Sequence, residues 1–107
     1  MKLYIVVRQD LSSGAQIAQS IHAFREFVEH HYDAEAQWYS KSNIIVVLGV
    51  SDEQELLILS SEAFKQGISR AEFREPDMMM SLTAVAFEPT SEVSFFLSHL
   101  SLAGRTL

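Results

Sequence analysis

The chain has 107 residues, of which 48% are hydrophobic, so it suits one domain with a single core and is too apolar for a disordered chain. It contains no cysteine, which excludes disulfide bonds, thiolate metal sites and a cysteine nucleophile. Eight Lys and Arg residues against fourteen Asp and Glu residues give a net charge of −6, which argues against tight non-specific RNA binding.

A local basic patch can survive within an acidic total, and five cations are candidates for it: Arg8, Arg25, Lys41, Arg70 and Arg74. The longest apolar run, residues 44–50, is far shorter than the roughly 20 residues of a membrane-spanning helix. The N-terminus leads directly into a strand-like run without the pattern of a cleaved signal peptide. We therefore expect a cytoplasmic protein with no membrane partner.

The first elements are a strand and a long helix. Residues 2–8 form a short β-branched run with a charge at each end, which is typical of a buried strand. Ser13, followed three residues later by Gln16, has the form of a capping box and predicts a helix from Ser13 to about residue 30. Its apolar residues recur at helical spacing and predict the face that packs on the core: Ile17, Ile21, Phe24 and Val28.

The pattern of the remaining residues predicts three further strands and two further helices. Residues 31–42 are polar and predicted to be irregular, and residues 43–50 form a strand that is apolar on both faces. Ser51 or Asp52 caps a helix that ends at Gly67. Strands at 69–74 and 82–87, a helix at about 92–100 and a loose tail complete the chain.

The predicted fold class is therefore α/β, in a single domain over residues 1–107. Strands that alternate with helices favour a largely parallel sheet, whereas the last two strands have no helix between them and should pair antiparallel. The prediction is a four-stranded mixed sheet flanked by helices, in the order β-α-β-α-β-β-α.

The first predicted helix carries a polar stripe opposite its apolar one. At 100° per residue, Ala15, Gln19, His22 and Glu26 fall on one side, which predicts that Gln19 and His22 face away from the core. From periodicity alone, a solvated polar face is the simpler explanation of this stripe. However, the stripe follows a strand-to-helix turn, where α/β proteins place functional sites, and histidine suits acid–base chemistry near neutral pH.

The turn between the last two predicted strands is the second candidate region. Glu75 and Asp77 flank Pro76, which fits either a functional carboxylate or an ordinary acidic turn. Three consecutive methionines, Met78–Met80, follow in a predicted loop. These flexible apolar side chains either cover a core edge or form a contact surface for a protein partner.

Four segments, in consistent order along the chain, resemble the archaeal/eukaryotic-type peptidyl-tRNA hydrolases. Residues 6–11 (VVRQDL), with Gly14 and residues 18–23 (AQSIHA), are similar to the N-terminal signature of that family. Residues 83–89 (TAVAFEP) and 98–102 (SHLSL) resemble its late strand and its C-terminal ending. The helix that begins at residue 52 is also of the family's type.

This resemblance implies an esterase that acts on tRNA esters and needs no metal or organic cofactor. The catalytic residues it implies are His22, a carboxylate at Glu75 or Asp77, and Thr83. The substrate-binding residues it implies are Arg8, Asp10, Gln19 and Ser81, the last being the nearest counterpart of an internal threonine of the family. The family's lysine at the start of the helix aligns here with Ala15.

Three hypotheses follow from the sequence. The chain is a divergent peptidyl-tRNA hydrolase-like esterase that activates water, or it is a non-catalytic binding or regulatory module that keeps the fold without the lysine. A homodimer whose interface is the Met78–Met80 loop (the methionine loop) or the first strand is compatible with either hypothesis.

Overall fold

The computed structural model describes residues 1–105, which fold into one mixed sheet with helices on both faces. The order of elements is strand, two helices, strand, helix, two strands, helix and a short last strand. Their bounds are β1 Lys2–Arg8, α1 Ser13–His30, α2 Tyr32–Lys41, β2 Ile44–Val50, α3 Glu53–Lys65, β3 Arg70–Glu75, β4 Ser81–Phe87, α4 Ser91–Phe96 and β5 Ser101–Leu102. No helix within residues 1–105 is long and apolar enough to cross a membrane.

The sheet has five strands in the order β3-β4-β1-β2-β5, one strand more than the sequence predicts. β1 pairs parallel with β2 and antiparallel with β4, and β3 pairs antiparallel with β4 as predicted. The additional strand, β5, pairs antiparallel with β2 through Leu48 and Gly49. Two residues carry no periodic pattern, so the sequence gives no sign of β5 in the predicted loose tail.

β1 occupies an internal position in the sheet, which bears on one interface considered above. β2 pairs with β1 along its whole length on one side, and β4 pairs with Ile5, Val6 and Val7 on the other. The C-terminal half of β1 is therefore paired on both edges within the chain.

Residues 31–42, predicted to be irregular, contain the helix α2. His31 ends α1 by donating its backbone N–H to Phe27 O, and its own carbonyl accepts from Glu35 N to begin α2. Trp38 is buried, and its indole N–H donates to Ile44 O at 2.8 Å. Trp38 thus anchors α2 to the rest of the fold, although hydrophobic periodicity does not predict this helix.

The core has two layers, one on each face of the sheet. Alternation along β1 sends Leu3, Ile5 and Val7 toward α1 and α2, where Phe27 and Trp38 pack. Val6 points to the other face, against a cluster contributed largely by α3, β4 and α4. This arrangement confirms the predicted mixed sheet flanked by helices.

The face of α1 that packs on the sheet differs from the predicted one. Ile17 and Ile21, predicted to be core residues, are each 62% exposed. The buried residues of the helix are instead Gln16, Gln19, Ser20, Ala23 and Phe27. Small and hydrogen-bonded polar side chains let α1 lie close to the sheet, so hydrophobicity alone points to the wrong sector.

Polar contacts at the start of α1 explain in part why its buried face differs from the predicted one. Ser12, and not Ser13, is the N-cap, and its hydroxyl accepts from Ala15 N. The Gln16 amide does not complete a capping box. It donates to Leu11 O at 2.9 Å and to Arg105 O at 2.7 Å, which ties the C-terminal segment to the helix.

Candidate functional site

The two candidate regions of the sequence meet at one end of the sheet. The second and third turns of α1 pack on β3 and β4, so Gln19 and His22 lie beside the turn that joins those two strands. Glu75 is the last residue of β3 and stands opposite Ser81, the first residue of β4. Seven of the eight predicted site residues lie in this region, and the eighth, Asp77, is an exposed residue of the turn itself.

Gln19 is the centre of a hydrogen-bond relay. Its side chain is buried, and its amide nitrogen donates to Glu75 Oε1 at 2.8 Å. Its amide oxygen accepts from Thr83 Oγ1 at 2.5 Å. The prediction that Gln19 faces away from the core is therefore wrong: both ends of its amide are used within the protein, as buried polar groups require.

Thr83 is fully buried at the inner end of this relay. Its hydroxyl lies 2.5 Å from Gln19 Oε1 and 3.4 Å from Phe73 O. A hydroxyl has one proton to donate, and the shorter contact identifies Gln19 as its acceptor. In this geometry Thr83 fixes the orientation of the Gln19 amide and has no access to a bound molecule.

Glu75, and not Asp77, is the carboxylate that joins the relay. Besides Gln19, it accepts the backbone N–H of Asp77 on Oε2 at 3.3 Å. The Gln19 hydrogen bond, the Asp77 N–H and the charge of His22 lower the pKa of Glu75 below its usual value. Glu75 is therefore held as an anion, whereas the exposed side chain of Asp77 lies in the 3₁₀ turn Pro76–Met78.

His22 is the exposed member of the group, as the sequence predicts. Its imidazole stacks on the ring of Phe73, with centroids 4.6 Å apart and an angle of 13° between the planes. One face of the imidazole is thus fixed by packing, while the residue as a whole is exposed. A partly exposed histidine beside a carboxylate can accept a proton from a bound water molecule.

Phe73 is the residue that sequence reasoning missed. It lies in β3, and its ring orients His22 while its carbonyl faces Thr83. Nothing in the sequence separates Phe73 from the other apolar strand residues. Only the packing of α1 across β3 gives it this position.

Arg8, Asp10 and Ser81 form a second group next to the relay. Arg8 makes a two-bond contact with Asp10, at 2.9 and 2.8 Å, and its Nη1 donates to Ser81 Oγ and Leu82 O at 3.3 Å each. The hydrogen bond between Arg8 and Asp10 raises the pKa of Arg8 and lowers that of Asp10. The Glu75–Ser81 strand pair connects this group to the relay.

The arginines proposed for a basic patch are paired with carboxylates. Arg8 contacts Asp10, Arg25 contacts Glu29, and Arg70 and Arg74 both lie within 4.0 Å of Glu72. The four arginines thus share three carboxylates, which lowers the positive charge that they present together. Within residues 1–105, His, Asp and Glu side chains form no group of three suited to hold a metal ion.

The methionine loop closes the turn at the site. Met79 is 93% exposed and Met80 is 54% exposed, while Met78 is half-buried. Met79 and Met80 both adopt left-handed backbone conformations, with φ of 56° and 62°. Met80 N–H donates to Glu75 O at 2.9 Å, so the loop also holds the backbone of Glu75.

Ala15 occupies the first position of the stripe. It is half-buried and lies one helical turn before Gln19 on the same side of α1. A methyl group at this position supplies no charge to the site.

Comparison with known proteins identifies the family. The chain shares its fold with a protein of unknown function from Agrobacterium tumefaciens strain C58, with a TM-score of 0.69, 12% identity, and coverage of 94% of this chain and 96% of that one. Curated protein sequences give no significant match. The family model of peptidyl-tRNA hydrolase PTH2 matches residues 1–103. The chain therefore belongs to the peptidyl-tRNA hydrolase PTH2 family.

Proposed function

We propose that the chain is a peptidyl-tRNA hydrolase-like esterase that cleaves the ester between a peptidyl or acyl group and the 3′ end of tRNA. The observation that carries this proposal is the placement of an exposed imidazole, His22, and a hydrogen-bonded carboxylate, Glu75, at the same end of the sheet. Membership of the PTH2 family supports a tRNA ester as the substrate class.

His22 is the proposed general base. It takes one proton from a water molecule as the oxygen of that water attacks the ester carbonyl. The bond between the carbonyl carbon and the ribose oxygen then breaks, and the ribose oxygen leaves as the alcohol after receiving that proton. The products are a free carboxylic acid and a tRNA with an intact 3′ end.

We propose a supporting role for Glu75. Its charge favours the protonated imidazole that forms during the attack, since opposite charges stabilise each other at short range. Its lowered pKa makes it a weaker base than an ordinary Glu. Gln19 and Thr83 orient this carboxylate, and Arg8, Asp10 and Ser81 stabilise the neighbouring edge of the turn.

The second candidate function is a non-catalytic binding module, and Ala15 is the observation that favours it. Electrostatic stabilisation of a developing oxyanion often contributes about 3–4 kcal/mol, and no cation at residue 15 supplies it. The paired arginines leave little free charge for RNA phosphates. The exposed Met79 suits a protein or peptide partner at the Met78–Met80 loop.

The test is release of the acyl group from a purified N-acyl-aminoacyl-tRNA by the full chain. We expect turnover by the wild type, a loss of about 10²-fold or more in His22→Ala, and a smaller loss in Glu75→Gln. His99→Ala is the matched control, because His99 is also exposed but lies at the other end of the chain, next to β5. Absence of turnover from the folded wild type would favour the binding module.

A further inference from the structure

The face of the sheet opposite α1 carries most of the net charge of the chain. Two segments pack on this face: residues 51–66, which contain α3, and residues 88–100, which contain α4. Together they hold six Asp and Glu residues and a single Lys, a net charge of −5 with His neutral, whereas the whole chain has −6. The acidic character of the chain therefore belongs almost entirely to the elements of this face.

A groove lies on the same face, between α3 and the turn that follows α4. Its volume is about 220 Å³, and its apolar lining is formed by Val50, Ile58, Leu59, Phe96 and Leu100. Ile58 is 53% exposed, although an isoleucine side chain gains free energy when it leaves water. The groove can therefore bury a further apolar group against Ile58 and its neighbours.

Two carboxylates flank Ile58 along the groove. Glu55 lies three residues before it and Glu62 four residues after it, so all three side chains project from the same side of α3. Within residues 1–105, the Glu55 carboxylate forms no ion pair or hydrogen bond. Glu62 lies 3.5 Å from Lys65, and both side chains are at least half exposed, so water weakens this pair. Both carboxylates are thus open to a cationic group of a bound molecule.

We propose that this groove binds a basic amphipathic segment of a partner protein. An apolar side chain of the segment lies between Ile58 and Leu100, while its Lys or Arg side chains contact Glu55 and Glu62. The apolar lining contributes affinity, and the two carboxylates fix the orientation of the segment.

The charge of the face decides which class of partner fits it. RNA phosphates and the headgroups of anionic lipids are repelled by a surface with a net charge of −5, whereas a basic protein segment is attracted to it. The groove also lies across the sheet from the candidate site, because His22 stacks on Phe73 on the α1 face. A bound segment therefore leaves that site open, and the proposal does not depend on whether the chain is an enzyme.

The probe that tests this proposal is a fluorescein-labelled peptide of about 14 residues that contains only Leu and Lys, with its leucines on one face of a helix. Fluorescence anisotropy with the full chain should show saturable binding with a dissociation constant on the order of 10–100 μM. Affinity should fall as salt rises from about 50 to 300 mM. A peptide with Glu in place of Lys should not bind, and one with Ser in place of Leu should bind at least about tenfold more weakly.

Two variants of the groove have matched controls on the opposite face of the sheet. Ile58→Ser should weaken binding about fivefold to tenfold, and Glu55→Gln about twofold to fivefold. Ile17→Ser and Asp33→Asn make the same changes at exposed positions of α1 and α2, and both should bind the peptide like the wild type. Circular dichroism checks that each variant is folded.

Backbone amide chemical shifts of the wild type locate the bound peptide without any substitution. We expect the largest changes around Ile58 and Leu100; changes confined to α1 and α2 would overturn the proposal. Equal losses of affinity in the groove variants and their controls would also overturn it, since the peptide would then respond only to overall charge. Binding of a labelled RNA oligonucleotide or of phosphatidylserine vesicles that is lost in Ile58→Ser would assign the groove to that other class of partner.

Discussion

The side-chain amide of Gln19 donates a hydrogen bond of 2.8 Å to Glu75, a residue 56 positions later in the chain. This bond joins the helix α1 to the end of β3 and selects one of two neighbouring carboxylates as the anion of the candidate site. Thr83, on the adjacent strand, fixes the amide from the other side at 2.5 Å. The relay therefore couples three elements that are distant in sequence.

We expect Gln19 and Thr83 to be coupled in stability. Thr83→Val removes the hydroxyl with little change in volume and leaves the buried Gln19 oxygen without a donor, which costs about 1–3 kcal/mol of unfolding free energy. Gln19→Leu should cost a similar amount, and the double variant should lose less than the sum by about 0.5–3 kcal/mol. Urea unfolding of all four proteins measures this, and strict additivity would contradict the relay.

From the lowered pKa of Glu75 we predict how the stability of the protein depends on pH. Its pKa is lower in the folded protein than in the unfolded chain, so the ionised group stabilises the fold above the usual Glu range. That contribution is lost as the pH falls through the lowered pKa. The difference in unfolding free energy between wild type and Glu75→Gln should be constant near neutral pH and shrink below about pH 4.5.

Glu92→Gln is the control for this pH dependence, because it removes a negative charge at the start of α4, away from the relay. Denaturant unfolding between about pH 3 and pH 7 compares the three proteins across the range in which carboxylates titrate. An equal pH-dependent difference for Glu92→Gln would show that the effect reflects overall charge and not the Gln19 hydrogen bond.

Ala15→Lys should strengthen both turnover and tRNA binding. Residue 15 lies on the same side of α1 as Gln19, so a lysine there can reach the site and supply positive charge to the ester oxygen or to a phosphate. We expect turnover to rise about tenfold to a hundredfold. The slope of log affinity against log salt should steepen by about 1.

Ala18→Lys is the matched variant for this gain, because Ala18 is exposed and turned about 100° from Gln19 around the helix. It adds the same charge without placing it on the stripe of the site. If the two lysine variants raise turnover equally, the gain comes from general attraction of RNA and not from the position of residue 15.

A side chain at Gly49 should require the side chain of Gln9 to move. A Cβ atom built on Gly49 would lie 2.3 Å from Cδ of Gln9, whose side chain is itself buried. Gly49→Ala should therefore cost about 1–3 kcal/mol of unfolding free energy, and Gln9→Ala in the same chain should recover part of that cost. Gly14→Ala is the control: its Cβ meets nothing within 4 Å, and the change should be neutral or slightly stabilising.

Local sequence patterns were sufficient to predict the order of the main elements, the antiparallel pairing of β3 with β4, and the residue types of the site. These features depend on local patterns: apolar runs of strand length, caps such as Asp52 before α3, and a resemblance that extends along the chain. Each apolar run or cap lies within a short window of residues, so it can be recognised without knowledge of the fold.

Three features depend on long-range contacts: the choice of the carboxylate that binds Gln19, the face of α1 that is buried, and the pairing of β5 with β2. Glu75 and Asp77 are equivalent candidates in the sequence, and only the pairing of Glu75 with Ser81 brings it to the helix. The burial of Gln19, against its polarity, depends on partners 56 and 64 residues away. Contacts of that range fix the free energy of a buried polar group, and no local pattern encodes them.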